Sequence, residues 1–471
     1  MASRTASARD AVSARPGPSP AAKRAAQVAD RIVGDVMAMG WPVGTLLGAE
    51  ADLLERYGVS RAVFREAVRL VEHQQVARTR RGPGGGLVIT EPTVHAVIDA
   101  VVLYLYRVEA RLDELFEARI VLEDIVAELA PARLGERGLA RLRPFQAGGD
   151  YGQDADPRAL HALLASITRN PALELFVDVL NRVAMLYTSD WQTLGPAVAA
   201  ESARAHARIA DAVIAGNSGL ARSRMRRHLE AERDFLLGRA SVTELLPDHV
   251  VVVSEASDGK RAEAVARRLT QEIVVGGMRP GELVGAEKDL IEQEGVSRAV
   301  LREAVRLLEH HQIARMRRGP GGGLFVFEPS AGAVTEITAI YLARRGMLIA
   351  DLAELRTGVE TALAGLAAER LDPAGTAMLG EAAGRGQEQH DTAPDLHAAV
   401  AGAAGNRVLE LVALVLIRLS RLHRIDRLSL ASGQQAQADV LRAHEAIVAA
   451  VAAGDRDLSR HRMRRHLDAL R

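Results

Sequence analysis

The stretch "SRAVFREAVRLVEHQQVARTRRGPGGGL" (Ser60–Leu87) returns almost unchanged as "SRAVLREAVRLLEHHQIARMRRGPGGGL" (Ser297–Leu324). The two stretches lie 237 residues apart, and 23 of their 28 positions are identical. Further along, "RMRRHL" also occurs twice, at Arg224–Leu229 and at Arg462–Leu467. Self-similarity of this length predicts a duplicated two-part unit rather than a solenoid of short repeats. The joint between the copies is expected within residues 239–260.

Each repeated stretch begins with the pattern of a helix that has two different faces. In the first copy, Ser60 is a suitable N-cap residue and Gly58 is suited to close the helix before it. Apolar residues follow at helical spacing and predict one buried face; they are Phe64, Ala67, Val68 and Val71, and in the second copy Leu301, Ala304, Val305 and Leu308. Arginines recur every fourth residue on another face, namely Arg61, Arg65 and Arg69, and Arg298, Arg302 and Arg306. A helix, a glycine turn and a helix with a charged outer face indicate a helix-turn-helix.

The segment "VARTRRGPGGGLVIT" (Val76–Thr90) predicts a β-hairpin with a glycine-rich tip. Because no Lys-Ser/Thr pair follows the glycines, the segment is not a phosphate-binding P-loop. Glycine lets a backbone approach a groove closely, and arginine attracts phosphate and bonds base edges. A lone arginine face is usually just solvated and a lone glycine tip is usually just a turn, but both together, twice, favour DNA binding. The candidate DNA-binding residues of the two hairpins and helix caps are Ser60, Arg80, Arg81, Gly82 and Gly84, with Ser297, Arg317, Arg318, Gly319 and Gly321 in the second copy.

Composition narrows the class of protein. The chain has 471 residues, no cysteine, 3% aromatic residues and a formal net charge of zero. The lack of cysteine suits a reducing compartment, so a cytoplasmic location is expected. No apolar run approaches the roughly 18 residues of a membrane helix, so no membrane partner is expected. Few aromatics argue against a base-stacking, single-strand platform. DNA binding must therefore rest on where the charges lie, since the global charge is neutral.

The second part of each copy is rich in Ala, Leu, Arg and Glu and predicts a helical bundle. Three histidines recur in it at matching places, namely His161, His206 and His228, and His397, His444 and His466. A single histidine is more often a hydrogen-bonded core or surface residue, but matched triplets favour a metal or effector site. Arg119 and Arg356 each precede a glutamate by four residues, which favours a helical ion pair, with a clamp for an effector carboxylate as the alternative.

The repeated strings "GVSRAVFREAVRLVEHQQVARTRRGPGGGLVI" and "GVSRAVLREAVRLLEHHQIARMRRGPGGGLFV" resemble the winged helix-turn-helix signature of the GntR transcription regulators. The resemblance implies that Arg61, Arg65, Arg298 and Arg302 read or clamp DNA and that the glycine tips enter the minor groove. The family's DNA-contacting arginine ahead of the second helix is Ala51 in the first copy and Lys288 in the second. The resemblance therefore implies two heads that are not equivalent, with Lys288 as an added DNA contact.

The strings around the histidines resemble the FCD ligand-binding domain of the FadR-type branch. In that domain one Asp and three His hold a divalent metal, so the resemblance implies a cofactor such as Zn, Ni or Mn. The three His positions carry over, whereas the Asp position is Pro157 in the first copy and Ala393 in the second. Asp156 and Asp395 lie close by in sequence but off the helical face. We therefore expect weak metal occupancy, lower in the second copy.

The expected fold is mainly α: two winged helix-turn-helix domains with small β-hairpin wings, each followed by an all-helical FCD-type bundle. The expected boundaries are a flexible tail at 1–23, DNA-binding domains at 24–92 and 261–329, bundles at 108–238 and 346–471, and a linker at 239–260.

The expected function is sequence-specific regulation of transcription, as a repressor controlled by a small organic acid or acyl effector. The partners are a double-stranded operator with an inverted repeat and the effector. The two copies are expected to form an intramolecular pseudo-dimer, with a further homodimer of chains left open. Alternatives are a metal-dependent enzyme built on the His triplets, disfavoured because no nucleophile or base accompanies them, and a non-specific architectural DNA-binding protein.

Overall fold

The structure is a computed structural model. It describes residues 20–80, 82, 84–146, 158–185, 196–238, 260–310, 313–317, 319, 321–327, 331–383, 396–423 and 433–470. The chain forms two compact units, Met1–Pro92 and Thr93–Arg471. The predicted linker at residues 239–259 and most of the predicted N-terminal tail lie outside the described residues.

The first unit contains three helices and three short strands among its described residues. They are α1 (Pro20–Ala38), β1 (Leu46–Gly48), α2 (Glu50–Tyr57), α3 (Arg61–His73), β2 (Ala77–Arg80) and β3 (Gly86–Ile89). The predicted tail at 1–23 is wrong at its end, because α1 already begins at Pro20. Proline suits the first turn of a helix, where its missing N–H costs nothing. The helix then buries Ala25, Val28 and Ile32 against the rest of the unit.

The strands form an antiparallel sheet in the order β1-β3-β2. Strands β2 and β3 make the predicted hairpin, with Ala77 opposite Ile89 and Arg80 opposite Gly86. Strand β1 was not predicted from the sequence, because a three-residue strand carries too few positions for a period of two to show. It pairs through Leu46 opposite Val88, so the hairpin is anchored to the segment before α2.

The second unit begins with the first helical bundle. Its helices are α4 (Val94–Arg107), α5 (Leu112–Arg133), α6 (Glu136–Gln146), α7 (Ala159–Ile167), α8 (Pro171–Met185), α9 (Pro196–Ile214) and α10 (Ser218–Leu237). The same order of elements as in the first unit follows, with α11 (Lys260–Val275), β4 (Leu283–Gly285), α12 (Glu287–Glu294), α13 (Arg298–His310), β5 (Ala314–Arg317) and β6 (Gly323–Val326). These strands again pair in the order β4-β6-β5.

The second bundle completes this unit. It consists of α14 (Ala331–Arg344), α15 (Ile349–Arg370), α16 (Pro373–Ala383), α17 (Leu396–Ala403), α18 (Arg407–Leu422), α19 (Gly433–Ala452) and α20 (Arg456–Ala469). The predicted bundle starts at 108 and 346 leave out α4 and α14, whose residues Val97, Leu105 and Ile337 are buried in the common core of the unit. The bundles therefore begin about one helix earlier than the sequence suggested. Across the part of the chain that is described, no helix is long and apolar enough to cross a membrane.

Helices α5 and α15 are the central helices of the two bundles. Both bury residues on nearly every side rather than along one stripe, including Leu115, Phe116 and Leu122 on α5. A helix that is apolar all round is surrounded by other helices. The polar residues Arg119 and Glu123 on α5 are consequently also buried. They lie beneath the first of the two histidine sites described below.

The two bundles pack against each other with approximate two-fold symmetry. Asn170 Nδ2 donates to the carbonyl of Asp351 at 3.1 Å, and its counterpart Asn406 Nδ2 donates to the carbonyl of Glu114 at 3.0 Å. Each asparagine also caps the helix that follows it through its Oδ1. Matching residues thus make matching contacts in opposite directions, which is the property of an isologous dimer interface.

Ion pairs at this interface repeat the same symmetry. Arg133 pairs with Glu354 at 3.0 Å, and Arg370 pairs with Glu117 at 2.7 Å. Because these side chains are partly exposed, each pair contributes only about 0–1 kcal/mol and mainly fixes the register of the two bundles. The two bundles of one chain are therefore arranged as two subunits of a dimer would be.

The segment from α11 to β6 is fastened to the first bundle. Tyr106 Oη on α4 donates to the carbonyl of Val274 at 3.2 Å. Arg107 Nη1 donates to the carbonyl of Met278 at 2.6 Å. These bonds hold the end of α11 and the turn after it against α4 of the first bundle.

Candidate nucleic-acid interface and metal centre

The arginine face lies on α3 in the first unit and on α13 in the second. The inward side of α3 is filled by Phe64, Ala67 and Val71, and this packing turns the arginines outward. The side chains of Arg61, Arg65 and Arg69 are 67%, 64% and 74% exposed. Those of Arg298 and Arg306 are 72% and 67% exposed, and Arg302 is exposed as well.

The turn before each of these helices is held by a glycine and a serine. Gly58 closes α2 in the left-handed conformation with φ 64°, a conformation that glycine adopts without strain. Ser60 Oγ accepts from the amide of Val63 at 3.4 Å, and Ser297 Oγ accepts from Val300 at 3.3 Å. The candidate DNA-binding serines therefore have a structural role as N-caps, which satisfy amides at the start of the arginine helix.

One acidic residue lies beside each arginine row. Glu50 at the start of α2 is 3.2 Å from Arg61 Nε and 3.6 Å from Arg65 Nε. In the second module, Glu287 is 3.0 Å from Arg298 Nε. Such exposed pairs add little stability, and they hold the guanidinium groups beside the start of α2 and of α12. Lys288, beside Glu287, is exposed and adds a cation where the first unit has Ala51.

The glycine tips adopt conformations that other residues rarely take. Gly82 and Gly84 have φ of 100° and 70°, and Gly319 and Gly321 have φ of 104° and 73°. Arg80 Nη2 donates to the carbonyl of Gly84 at 2.9 Å, so this arginine braces the tip. Its counterpart Arg317 instead lies over the ring of Phe325, 4.2 Å from the centroid. Arg81 and Arg318 lie outside the described residues.

The first histidine site lies between α7, α9 and α10. His206 Nε2 is 3.1 Å from His228 Nε2, and His228 Nε2 is 3.3 Å from His161 Nε2. All three rings are buried, and their ligand atoms lie within 4.8 Å of one another. Three histidines, the first and last of which are 67 residues apart in sequence, are thus brought together, and their Nε2 atoms converge.

A buried ion-pair chain supports this site from α5. The Nδ1–H of His161 donates to Glu123, and Arg119 pairs with Glu123 at 3.1 Å and with Glu232 at 3.0 Å. Although burial opposes ionisation of Glu123, the neighbouring His161 and Arg119 outweigh it and lower its pKa to about 2. The carboxylate therefore fixes the tautomer in which His161 Nε2 carries a lone pair.

Burial also keeps the other two rings neutral. Burial, reinforced by the neighbouring His161, lowers the pKa of His206 to about 2 and that of His228 to about 3. Neutral imidazole is the form that binds a metal ion. His206 and His228 are therefore in the metal-binding form at neutral pH.

The second histidine site repeats this arrangement on α17, α19 and α20. His444 Nε2 is 3.2 Å from His466 Nε2, and His466 Nε2 is 3.3 Å from His397 Nε2. The Nδ1–H of His397 donates to Glu360, which also pairs with Arg356 at 2.6 Å. Both expected arginine–glutamate pairs are thus present. Both arginines are buried.

The spacing of the nitrogens fits a divalent ion. Imidazole nitrogens about 2.1 Å from one metal lie about 3.0 Å apart in octahedral and about 3.4 Å apart in tetrahedral geometry. Two of the three separations in each site, at 3.1–3.3 Å, fall in this interval, and the third is within 4.8 Å. The positions that replace the family's Asp, Pro157 and Ala393, lie outside the described residues, as do Asp156 and Asp395.

Comparison with known families agrees with both halves of this architecture. The FCD domain model matches residues 114–231 and 351–469. The model of the gntR family of bacterial regulatory proteins matches residues 261–326. The FCD matches together cover half of the chain.

Individual relatives are regulators. The chain is 28% identical over 142 residues to the Uxu operon regulator of Haemophilus influenzae, covering 28% of this chain and 50% of that protein. It is 28% identical over 209 residues to the HTH-type transcriptional regulator LutR of Bacillus subtilis, covering 41% of this chain and 93% of that protein. The chain thus spans half of the first relative and nearly all of LutR, which matches less than half of the present chain.

Solved structures of similar regulators overlap partially with this one. A Streptococcus agalactiae GntR structure is 24% identical, with 45% of this chain and 99% of that chain covered and a TM-score of 0.32. E. coli McbR/YncC is 19% identical, with 44% and 93% covered and a TM-score of 0.22. With its two FCD domains and its gntR-type segment, the chain belongs to the GntR-family transcription regulators that carry an FCD domain.

Proposed function

We propose that the protein is a sequence-specific DNA-binding regulator of transcription that uses two DNA-binding heads. The observation that carries this proposal is the exposed arginine row of α13, which lies within the segment matched by the gntR family. The order of helix, turn, arginine helix and hairpin is that of a winged helix-turn-helix. An exposed arginine row beside a glycine-tipped hairpin is suited to phosphates and base edges.

The first unit is proposed as the second such head. Its elements follow the same order as those of residues 260–326, and its arginine helix and hairpin share 23 of 28 positions with them. The chain is thus a tandem FadR-type regulator. The isologous contacts of Asn170 and Asn406 support an intramolecular pseudo-dimer of bundles, which takes the place of the two subunits of an ordinary dimer. One chain then covers an operator with an inverted repeat.

The histidine sites are proposed to hold a divalent ion such as Zn, Ni or Mn. Their support is the convergence of three imidazoles in each bundle, all buried except the half-buried His444, with neighbouring nitrogens at the spacing of metal ligands. An ion with an open coordination position attracts carboxylates, so a small organic acid or acyl effector is the proposed ligand. Effector binding then alters operator affinity through the contacts that tie α4 to the second head, and repression is the proposed outcome.

The decisive experiment is selection of bound duplexes from a random library, followed by footprinting at stated salt. A specific regulator is expected to bind the selected site at least about 10³-fold more tightly than random DNA. The matched variant combines Arg65→Ala with Arg302→Ala, and Arg182→Ala on the first bundle serves as a control for loss of charge alone. Equal affinity for selected and random DNA would instead identify a non-specific architectural protein.

A further inference from the structure

Glu232 lies one helical turn after His228 on α10, so both side chains share a face. Its Oε1 accepts from Arg119 Nη1 at 3.0 Å. Its Oε2 is directed toward the histidines and lies 4.0 Å from His228 Nε2. The side chain is only 17% exposed. A carboxylate oxygen thus stands at the rim of the first histidine site, and this carboxylate shares Arg119 with the one that orients His161.

The second copy has no carboxylate at the matching position. The offset of 238 residues that relates His206 to His444 and His228 to His466 relates Glu232 to Leu470. Leu470 is partly buried and packs against the hydrophobic core. A leucine cannot coordinate a metal, so among the described residues the two sites differ at this position in whether a carboxylate stands near the histidines.

The hydrogen bonds of the buried arginine also differ between the two copies. In the second copy, Arg356 Nη1 donates to Ser420 Oγ at 2.9 Å. The matching position in the first copy is Ala184, and there Arg119 Nη1 bonds Glu232 instead. The Nη1 of this arginine therefore has a different acceptor in each copy, and the acceptor in the first copy, Glu232, has a second oxygen to offer.

We propose that Glu232 is the fourth protein ligand of a divalent ion in the first bundle, replacing the missing Asp, and that the second bundle holds its ion by three histidines alone. This proposal rests on the metal site of the proposed function. Oε2 stands 4.0 Å from His228 Nε2, and a movement of the side chain toward the histidines would bring it to the spacing of neighbouring ligands. Arg119 keeps Oε1 and so orients the carboxylate, as groups beyond the ligands do in metal sites.

The consequence is a difference in affinity and in chemistry. The first site offers a divalent cation one negative ligand, while the second offers neutral nitrogens only. The first site therefore fills first and binds at least about ten-fold more tightly. The second site keeps more coordination positions for water or for an effector carboxylate. One chain then contains one bundle that binds its metal tightly and one bundle whose metal occupancy depends on the concentration of free metal.

The test is titration of the full-length, chelator-treated protein with Zn²⁺ in competition with a chromophoric chelator. The wild type is expected to show one tight and one weaker binding step. The tight step is expected to disappear in His206→Ala and the weaker one in His444→Ala. Glu232→Leu is expected to bring the first site to the affinity of the second, and Leu470→Glu to strengthen the second. Asp234→Asn, on the same helix with a side chain 67% exposed, is the control.

Ligand counting gives an independent readout. X-ray absorption of protein loaded with one equivalent of Zn²⁺ is expected to show three imidazoles and one carboxylate, and to lose the carboxylate in Glu232→Leu. Circular dichroism establishes that this variant remains folded, and Leu470→Glu tests the same idea if it does not.

Two equal steps in the wild type, or a tight step unchanged by Glu232→Leu, would overturn the role of Glu232 while leaving the metal site itself in place. Absence of any binding that depends on His206 or His444 would overturn the metal site as well.

Discussion

Ile125 of the first bundle lies so close to Gly358 of the second that a Cβ added to Gly358 would stand 2.4 Å from Ile125 Cδ1. The position that matches Gly358 in the first copy is Val121. A pair of two first bundles would therefore set a valine against Ile125, and one of the two side chains would have to move. The contact thus disfavours a pair of two first bundles.

This contact predicts the effect of filling the glycine. Gly358→Val is expected to destabilise the protein by about 1–3 kcal/mol, because an overpacked interface forces side chains and backbone apart. Ile125→Ala in the same chain is expected to recover part of the loss, since it removes the opposing methyl groups. Chemical denaturation of the four proteins of this double-mutant cycle measures the coupling. Strictly additive effects would show that the two residues do not determine the pairing.

The buried arginine in the first bundle predicts a loss of stability rather than a loss of effector binding alone. Arg119 is 3% exposed and pairs with Glu123 and Glu232. Arg119→Met leaves both carboxylates buried without their cation, which is expected to cost about 3–5 kcal/mol. Arg222→Met, whose side chain is 42% exposed, is the control and should cost under about 1 kcal/mol. Wild-type stability in Arg119→Met would favour a clamp for the effector.

Substitutions in the arginine rows are expected to lower DNA affinity. Arg65→Ala or Arg302→Ala is expected to weaken specific binding by about 1–3 kcal/mol where a base contact is lost. Lys288→Ala is expected to weaken binding more uniformly across sequences and to reduce its salt dependence, as loss of a phosphate contact does. Fluorescence anisotropy at several salt concentrations separates the two effects. Unchanged operator affinity in both arginine variants would rule out this use of α3 and α13.

The wing glycines predict two different outcomes. A Cβ on Gly86 would stand 2.2 Å from the carbonyl oxygen of Gly48, so Gly86→Ala is expected to melt the first unit at lower temperature. Gly82 has a φ of 100° and open space around it. Substitution of Gly82 is expected to lower the DNA affinity of the protein as well as its stability. Gly34→Ala, in the open middle of α1, is the control and should stabilise by about 0.5–1 kcal/mol. Differential scanning calorimetry measures the stability of all three variants, and fluorescence anisotropy measures the DNA affinity of the Gly82 variant. A Gly86→Ala protein with unchanged melting temperature would contradict the close approach.

The two proposed heads in one chain predict the stoichiometry of binding. One chain is expected to cover both half-sites of one operator, because tethering raises the effective concentration of the second head to about millimolar. With Ala51 in place of Lys288, the first head is expected to hold its half-site more loosely. Mass determination of the free protein and of its complex with a single operator provides the measurement. A minimal complex of two chains, each with one head on the DNA, would show that the duplication serves another purpose.

The sequence alone determined the repeated plan of this protein. The 237-residue repeat, the serine caps, the arginine spacing and the glycine tip are local patterns, and local chemistry is sufficient to predict a helix-turn-helix with a hairpin. The histidine triplets could be recognised because their order and intervals recur. The start of α1, strand β1 and the helices α4 and α14 were missed, because short strands and apolar linking helices carry weak local signals.

The tertiary structure alone decided which residues meet. That His161, His206 and His228 converge, that Glu123 orients one of them and that Glu232 approaches from the rim depend on packing between helices distant in sequence. The same is true of Asn170 and Asn406, which reach the opposite bundle, and of Gly358, which receives Ile125. A periodic pattern specifies the face a residue occupies on its own helix, whereas the partner across that face is set by how the helices pack together.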